Sequence, residues 1–300
     1  MTALEPATHR NAAGALSMLA AMAVIGLVDN AVAMIARDMG LWQFQLMRAM
    51  MSAPLLFLAA LILRQSLWPV AMGAVLLRSA AVMVAMALYF SALAFLPIEQ
   101  ALAGLFTSPI WVLIITALGL RKRVGPWRVG AALVGFAGLL VVLDPNPETL
   151  SPVILLPVAG GFFYALGMIA TGTICAKENA ATLLGWILLA QFVASAMMLG
   201  VLALWVPEGE GFLARGWTWD IARAMPWLSL QTVGALIGVA LIIRAYQMGE
   251  ASQIAIFEYA AFISGPFFAW VLFGQGIGLQ QVLGIAMIAT AGSVIALRMR

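Results

Sequence analysis

The chain has one histidine, one cysteine and two lysines in 300 residues. A lone Cys175 excludes an internal disulfide and any thiolate-rich metal site. A lone His9, near the N-terminus, excludes a His-based zinc centre, a His-Glu-x-x-His motif and a Ser-His-Asp triad. Both lysines, Lys122 and Lys177, lie between apolar runs, and there is no Gly-x-x-x-x-Gly-Lys phosphate loop. Charge is also scarce: 9% of residues, against 64% hydrophobic and the roughly 25% charged residues of soluble domains. No water-soluble fold hides so much apolar surface, which makes the chain an integral membrane protein. The basic residues (pI about 9.4) are scattered at the ends of apolar runs, so nucleic acid is not an expected partner. Membrane lipid and a small-molecule solute are. No cofactor, no metal and no catalytic residue are expected.

What is present is a series of apolar runs. About 20 such residues cross a bilayer core. Ten segments qualify, at 12–36, 42–63, 72–95, 98–119, 126–143, 152–175, 181–206, 223–247, 251–273 and 279–297. The first is too long for the roughly 7–15-residue core of a signal peptide and is read as a retained span. Nine Lys and Arg (Arg10, Arg64, Arg121, Lys122, Arg123, Arg128, Lys177, Arg298, Arg300) fall on one side and three (Arg37, Arg215, Arg223) on the other. The positive-inside bias puts both termini in the cytoplasm and the acidic Asp144–Glu148 and Glu208-Gly209-Glu210 links outside.

The chain repeats weakly. Gly130, Ala132, Ala137, Gly138 and Leu143 recur 154 residues on as Gly284, Ala286, Ala291, Gly292 and Leu297. Gly26, Ala31 and Met34-Ile35-Ala36 recur 134 residues on as Gly160, Ala165 and Met168-Ile169-Ala170. Both offsets imply a five-span unit, 1–145 and 151–300. An odd number of spans inserts its two copies in opposite senses, a construction common in secondary transporters. The expected fold is all-α, with ten transmembrane helices as two inverted five-helix repeats.

This pattern resembles the drug/metabolite transporter superfamily, EamA-type. Each half ends in Gly-x7-Gly. Arg48, in Gln45-Leu46-Met47-Arg48-Ala49-Met50, is similar to that family's second-span arginine. Tyr89-Phe90-Ser91-Ala92-Leu93 followed by Pro97 resembles its third-span ending, and Phe257-Glu258-Tyr259 with Leu272-Phe273-Gly274-Gln275 its ninth span. Span 1 has Ile25-Gly26 where Trp-Gly is frequent, and Gln275 stands where Glu often follows Phe-Gly. The resemblance implies alternating-access export of small metabolites across the bacterial inner membrane. Aromatic and apolar amino acids come first, as in YddG-like exporters. An exporter of drugs or organic cations is the alternative, and a solute channel a different class.

Five charged residues sit inside apolar runs, where they mark a pathway, a pair or a gate. Asp29 and Arg48 lie at matching depth on spans 1 and 2, open to a structural clasp or to a solute-binding outer gate; Asn30 adds an amide. Arg78 and Arg244 are near the inner ends of spans 3 and 8, within reach of the interface by snorkelling. Glu258 is too short for that, and is either paired with Arg78 or Arg244 or protonatable. Trp42, Tyr89, Tyr164, Trp186, Gln191, Tyr246, Phe257 and Tyr259 are the candidate lining of a route for a partly apolar solute. Pro109 and Pro266 are candidate hinges in spans 4 and 9. Spans 5 and 10, rich in Gly and Ala, are expected at the periphery, leaving a monomer or a weak homodimer through them.

Overall fold

In a computed structural model, residues 7–93, 95–149, 151–205 and 211–298 are described. Glu208-Gly209-Glu210 and Arg300 lie outside them. Among the described residues ten helical spans are long and apolar enough to cross a bilayer: His9–Asp38, Leu41–Ile62, Met72–Ala92, Ile98–Gly119, Pro126–Leu143, Pro152–Gly172, Ala180–Leu204, Met225–Met248, Ala251–Phe273 and Leu279–Leu297, numbered spans 1–10 below. The expected ends are met within a few residues. The first helix begins at Ala7, so His9 stands in its first turn. Spans 2, 5 and 9 stop where Arg64, Asp144 and Gly274 follow with φ of 51°, 48° and 64°, a left-handed turn that cannot continue a helix.

The most extensive interfaces pair span 1 with 8, span 3 with 6, span 2 with 7 and span 5 with 10. Each joins the first half of the chain to the second, and the 1–8 and 6–3 pairs are equivalents under exchange of halves. This is the packing of two inverted five-helix repeats. At the 5–10 contact a Cβ on Gly138 would stand 2.8 Å from the Gly284 carbonyl oxygen, and one on Gly284 2.6 Å from that of Gly138. Gly138 and Gly284 thus let the backbones of spans 5 and 10 approach each other closely within the chain.

The links obey the same exchange. On the face carrying the termini (the terminal face), Thr182 donates to the Ser66 carbonyl at 2.7 Å. Glu178 accepts from the Val70 and Ala71 amides at 3.1 and 2.7 Å, placing an anion at the start of span 3, where the helix dipole favours it. On the distal face, Gln43 pairs both ways with the backbone of Thr218, at 2.7 and 3.0 Å. Arg215 donates to the Ala36 and Arg37 carbonyls at the end of span 1.

Two spans are irregular in mid-membrane, and they occupy corresponding places in the halves. Span 4 is helical over Ile98–Leu105, breaks at Phe106 and Thr107, resumes over Ser108–Ile114 and widens to a π-turn over Ile115–Gly119. Span 9 tightens to 3₁₀ over Ala255–Ala260 between Ala251–Ile254 and Ala261–Phe273. Such stretches inside helices frequently mark functional hinges. Pro109 stands in the first turn of the resumed helix, at the break. Pro266 lies beyond the break, inside the helix that follows.

Candidate functional site

A cavity of about 200 Å³ lies between spans 2, 3, 6, 7 and 8. Its walls are mostly aliphatic and thioether: Met86, Met168, Leu184, Ile187 and Val239 among them. Five polar side chains interrupt this wall: Arg48, Ser52, Arg78, Tyr164 and Gln191. No acidic side chain lines it. Arg48 enters from the distal side of span 2 and donates to Gln191 Oε1 at 3.1 Å. Its guanidinium also lies 5.4 Å from the centre of the Phe44 ring, within cation–π range. Arg78 closes the terminal end. It is 1% exposed and held by Thr171 Oγ1 at 3.1 Å and the Leu183 carbonyl at 3.4 Å. Thr171 is itself fixed to the Gly167 carbonyl at 2.8 Å. Two guanidinium groups thus bracket a chamber whose wall is otherwise mostly apolar.

A second polar cluster lies behind it. Glu258, on the 3₁₀ stretch of span 9, accepts from the Tyr246 hydroxyl at 2.6 Å and from Ser108 Oγ at 3.4 Å. Ser108 is the residue at which span 4 resumes, so the two irregular spans meet through a hydroxyl and a carboxyl. The charges of Arg78 and Glu258 both reach Tyr164, which places that tyrosine between the cavity and the buried acid.

Residues 12–144 match the EamA-like transporter family. A riboflavin transporter of Vibrio cholerae is 30% identical over 236 residues, which cover 77% of this chain and 74% of that protein. The chain belongs to the EamA-like transporter family. A riboflavin transporter of Rhizobium johnstonii is 25% identical, over 68% of this chain and 63% of that one. An S-adenosylmethionine uptake transporter of Rickettsia bellii is 23% identical, over 65% and 62% respectively. The chain therefore spans slightly less than two thirds of these last two relatives. A solved crystal structure superposes with a TM-score of 0.80 at 17% identity, covering 95% of this chain and 98% of that one; it shares the fold.

In this EamA-like transporter the residues singled out from sequence separate into several groups. Arg48, Arg78, Tyr164 and Gln191 line the cavity, and Tyr246 with Glu258 forms the cluster behind it. Asp29 is exposed, and its charge is felt at both Arg48 and Tyr89, which places it near spans 2 and 3 and outside the cavity wall. The expected Asp29–Arg48 clasp does not form, because the guanidinium is turned to Gln191. Nor does Glu258 pair with Arg78 or Arg244. Arg78 is engaged elsewhere, and Arg244 is exposed beside an apolar groove of spans 2, 7 and 8. Among the described residues the ion pair within 4 Å is Arg128–Glu250, at 2.6 Å on the terminal face.

The remaining positions hold the scaffold of the transporter. Asn30 donates to the Gly26 and Gly265 carbonyls, fastening span 1 to span 9. Trp42 donates to the Leu213 carbonyl and packs edge-on against Phe90, whose ring is tilted against that of Tyr89. Trp186 packs on Trp68 of the 2–3 link. Phe257 and Tyr259 are 3% and 0% exposed, in core clusters facing spans 5 and 10. The expected aromatic lining is thus an aliphatic and methionine lining with one tyrosine. Sequence reasoning passed over Ser108, Ser52, Thr171 and the methionines. Ser108 had a signal, since Thr107-Ser108-Pro109 is a polar interruption of an apolar run.

Proposed function

We propose that this transporter is a secondary carrier that moves a small, uncharged or anionic metabolite across the bacterial inner membrane by alternating access. Riboflavin is the first solute to test. The observation that carries the reading is the chamber bracketed by Arg48 and Arg78 with no acid in its wall. A cation such as S-adenosylmethionine, or an organic-cation drug, meets two like charges there and no counter-charge. That argues against the organic-cation alternative. Riboflavin carries no net charge at neutral pH. Its flat ring suits an aliphatic wall in which Met86 and Met168 supply adaptable, polarisable contacts, and its carbonyls suit guanidinium donors. The similarity to the Vibrio cholerae riboflavin transporter points the same way.

A chamber of about 200 Å³ is smaller than the roughly 300–1,000 Å³ of sites that enclose drug-sized ligands. Loading therefore requires the chamber to widen. In this reading residues 1–145 and 151–300 rock against each other about the irregular spans 4 and 9, with both termini cytoplasmic. The carrier works as a monomer.

An amino acid is the second reading, because Arg48 offers a partner for a carboxylate. Its ammonium finds no acid in the same wall. The test is counterflow in proteoliposomes preloaded with unlabelled solute. Labelled riboflavin is expected to accumulate transiently, and S-adenosylmethionine and aromatic amino acids to exchange weakly. Exchange of amino acids without riboflavin would replace the first reading with the second, and flux without saturation or counterflow would make the chain a channel.

A further inference from the structure

We propose that Glu258 is a proton-binding site that couples solute movement to the pH gradient, loaded from the face that carries the termini. The inference rests on the carrier reading above. Glu258 is 3% exposed and lies within a span. Among the described residues no Lys, Arg or His nitrogen comes within 4 Å of it. Its two oxygens have only the hydroxyls of Tyr246 and Ser108. An anion buried without a counter-cation costs several kcal/mol; a neutral carboxylic acid does not. The packing around Glu258, two hydroxyls and no cation, thus favours the neutral acid over the anion.

A cavity lies on each of two sides of Glu258, each lined by a tyrosine that neighbours it. On the terminal face a cavity of about 110 Å³ is bounded by Lys122, Glu250 and Tyr246, among others. Tyr246 is shared by that wall and by Glu258, to which its hydroxyl donates. On the other side Tyr164 lines the central chamber and feels the charge of Glu258. The titratable groups facing Glu258 are therefore the phenols of Tyr246, Tyr164 and Tyr259. Span 5 brings Arg128, which Glu250 holds; span 10 carries no charged residue; and the membrane charge of span 1, Asp29, faces Arg48 and Tyr89.

Because the carboxyl rides on the 3₁₀ stretch of span 9 and touches the break of span 4, any motion at these breaks changes its hydroxyl partners. One cycle then moves one proton: a carboxylate takes it from hydronium in the terminal-face cavity, leaving water, and the acid returns it to water in the opened chamber.

Two measurements test this. Protein in lipid vesicles without solute is expected to show the infrared C=O stretch of a protonated carboxyl at neutral pH, lost in Glu258→Gln. Absence of the band in the native protein, or its persistence in the variant, overturns the proposal. Vesicles are then given a gradient of one pH unit and whichever solute of the panel exchanges. Native protein is expected to accumulate that solute up to about tenfold, the limit for one proton per solute. Glu258→Gln should fail to accumulate it while keeping counterflow, which also shows that the variant is folded. Counterflow indifferent to the gradient in native protein overturns the coupling and leaves the carrier reading standing. If no solute exchanges, the carrier reading falls and takes the coupling with it, while the infrared result still decides whether Glu258 holds a proton.

Discussion

Arg48 reaches into the chamber on a long, flexible side chain, and among the described residues its side-chain hydrogen bond is to Gln191. Hydrogen bonds to charged groups are worth about 1.5–3 kcal/mol. Gln191→Leu should release the guanidinium and weaken apparent solute affinity about tenfold, with a smaller change in maximal rate, read from the KM of counterflow. Arg48→Ala should be more severe, whereas Arg244→Ala, on an exposed side chain outside the chamber, should leave KM unchanged. Cys175 supplies a different check. It is buried in the link after span 6, and burial pushes its thiol up from the ordinary value. With less thiolate and no access, it should resist maleimide in the folded protein and react only after denaturation. Introduced cysteines can then be labelled without replacing it. At this scale little was legible in advance. Arg78 and Arg244 stand in similar apolar contexts near the same face, yet one is 1% exposed and the other exposed. The difference lies in the rotation of each helix about its axis, which no local pattern records. Glu258 and Ser108 are 150 residues apart in sequence, and only the packing of spans 4 and 9 brings them together.

At the scale of elements the reading from sequence was far better, for a physical reason. The bilayer demands about 20 apolar residues per crossing, so composition alone marks where helices start and stop. Spans 4, 5, 9 and 10 have the expected boundaries. The irregular turns in spans 4 and 9 were not marked, since a 3₁₀ or π stretch stays as apolar as the helix around it. Small residues proved more informative. One glycine of each Gly-x7-Gly pair, Gly138 in span 5 and Gly284 in span 10, sits at a close helix–helix approach within the chain. Gly138→Val should force the backbones of these spans apart. A loss of about 1–3 kcal/mol, the usual range for overpacking, is expected as a lower midpoint of thermal unfolding in detergent. Glu178→Ala removes the anion that receives two amides at the start of span 3. It should cost about 1–2 kcal/mol, as loss of a helix cap does.

For the whole molecule, the terminal face is tied by Arg128, which donates to Glu250 at 2.6 Å and to Ser252 at 2.7 Å, while the amide of Glu250 donates to Asn11 at 3.0 Å. Spans 1 and 5 of the first half thus meet the 8–9 link of the second. The pair is partly solvated, at 21% and 32% exposure, so a coupling energy of about 1 kcal/mol or less is expected from a double-mutant cycle of Arg128→Ala and Glu250→Ala. Loosening the tie should also raise hydrogen exchange at Gly249–Ala251. A broader consequence follows from the way the helices are shared. Since the largest contact surface of every span is provided by the opposite half, neither half has a core of its own. If the polypeptide is cut in the connection after Asp144, each fragment made alone should be degraded, and the two made together should recover a stable, transport-competent complex.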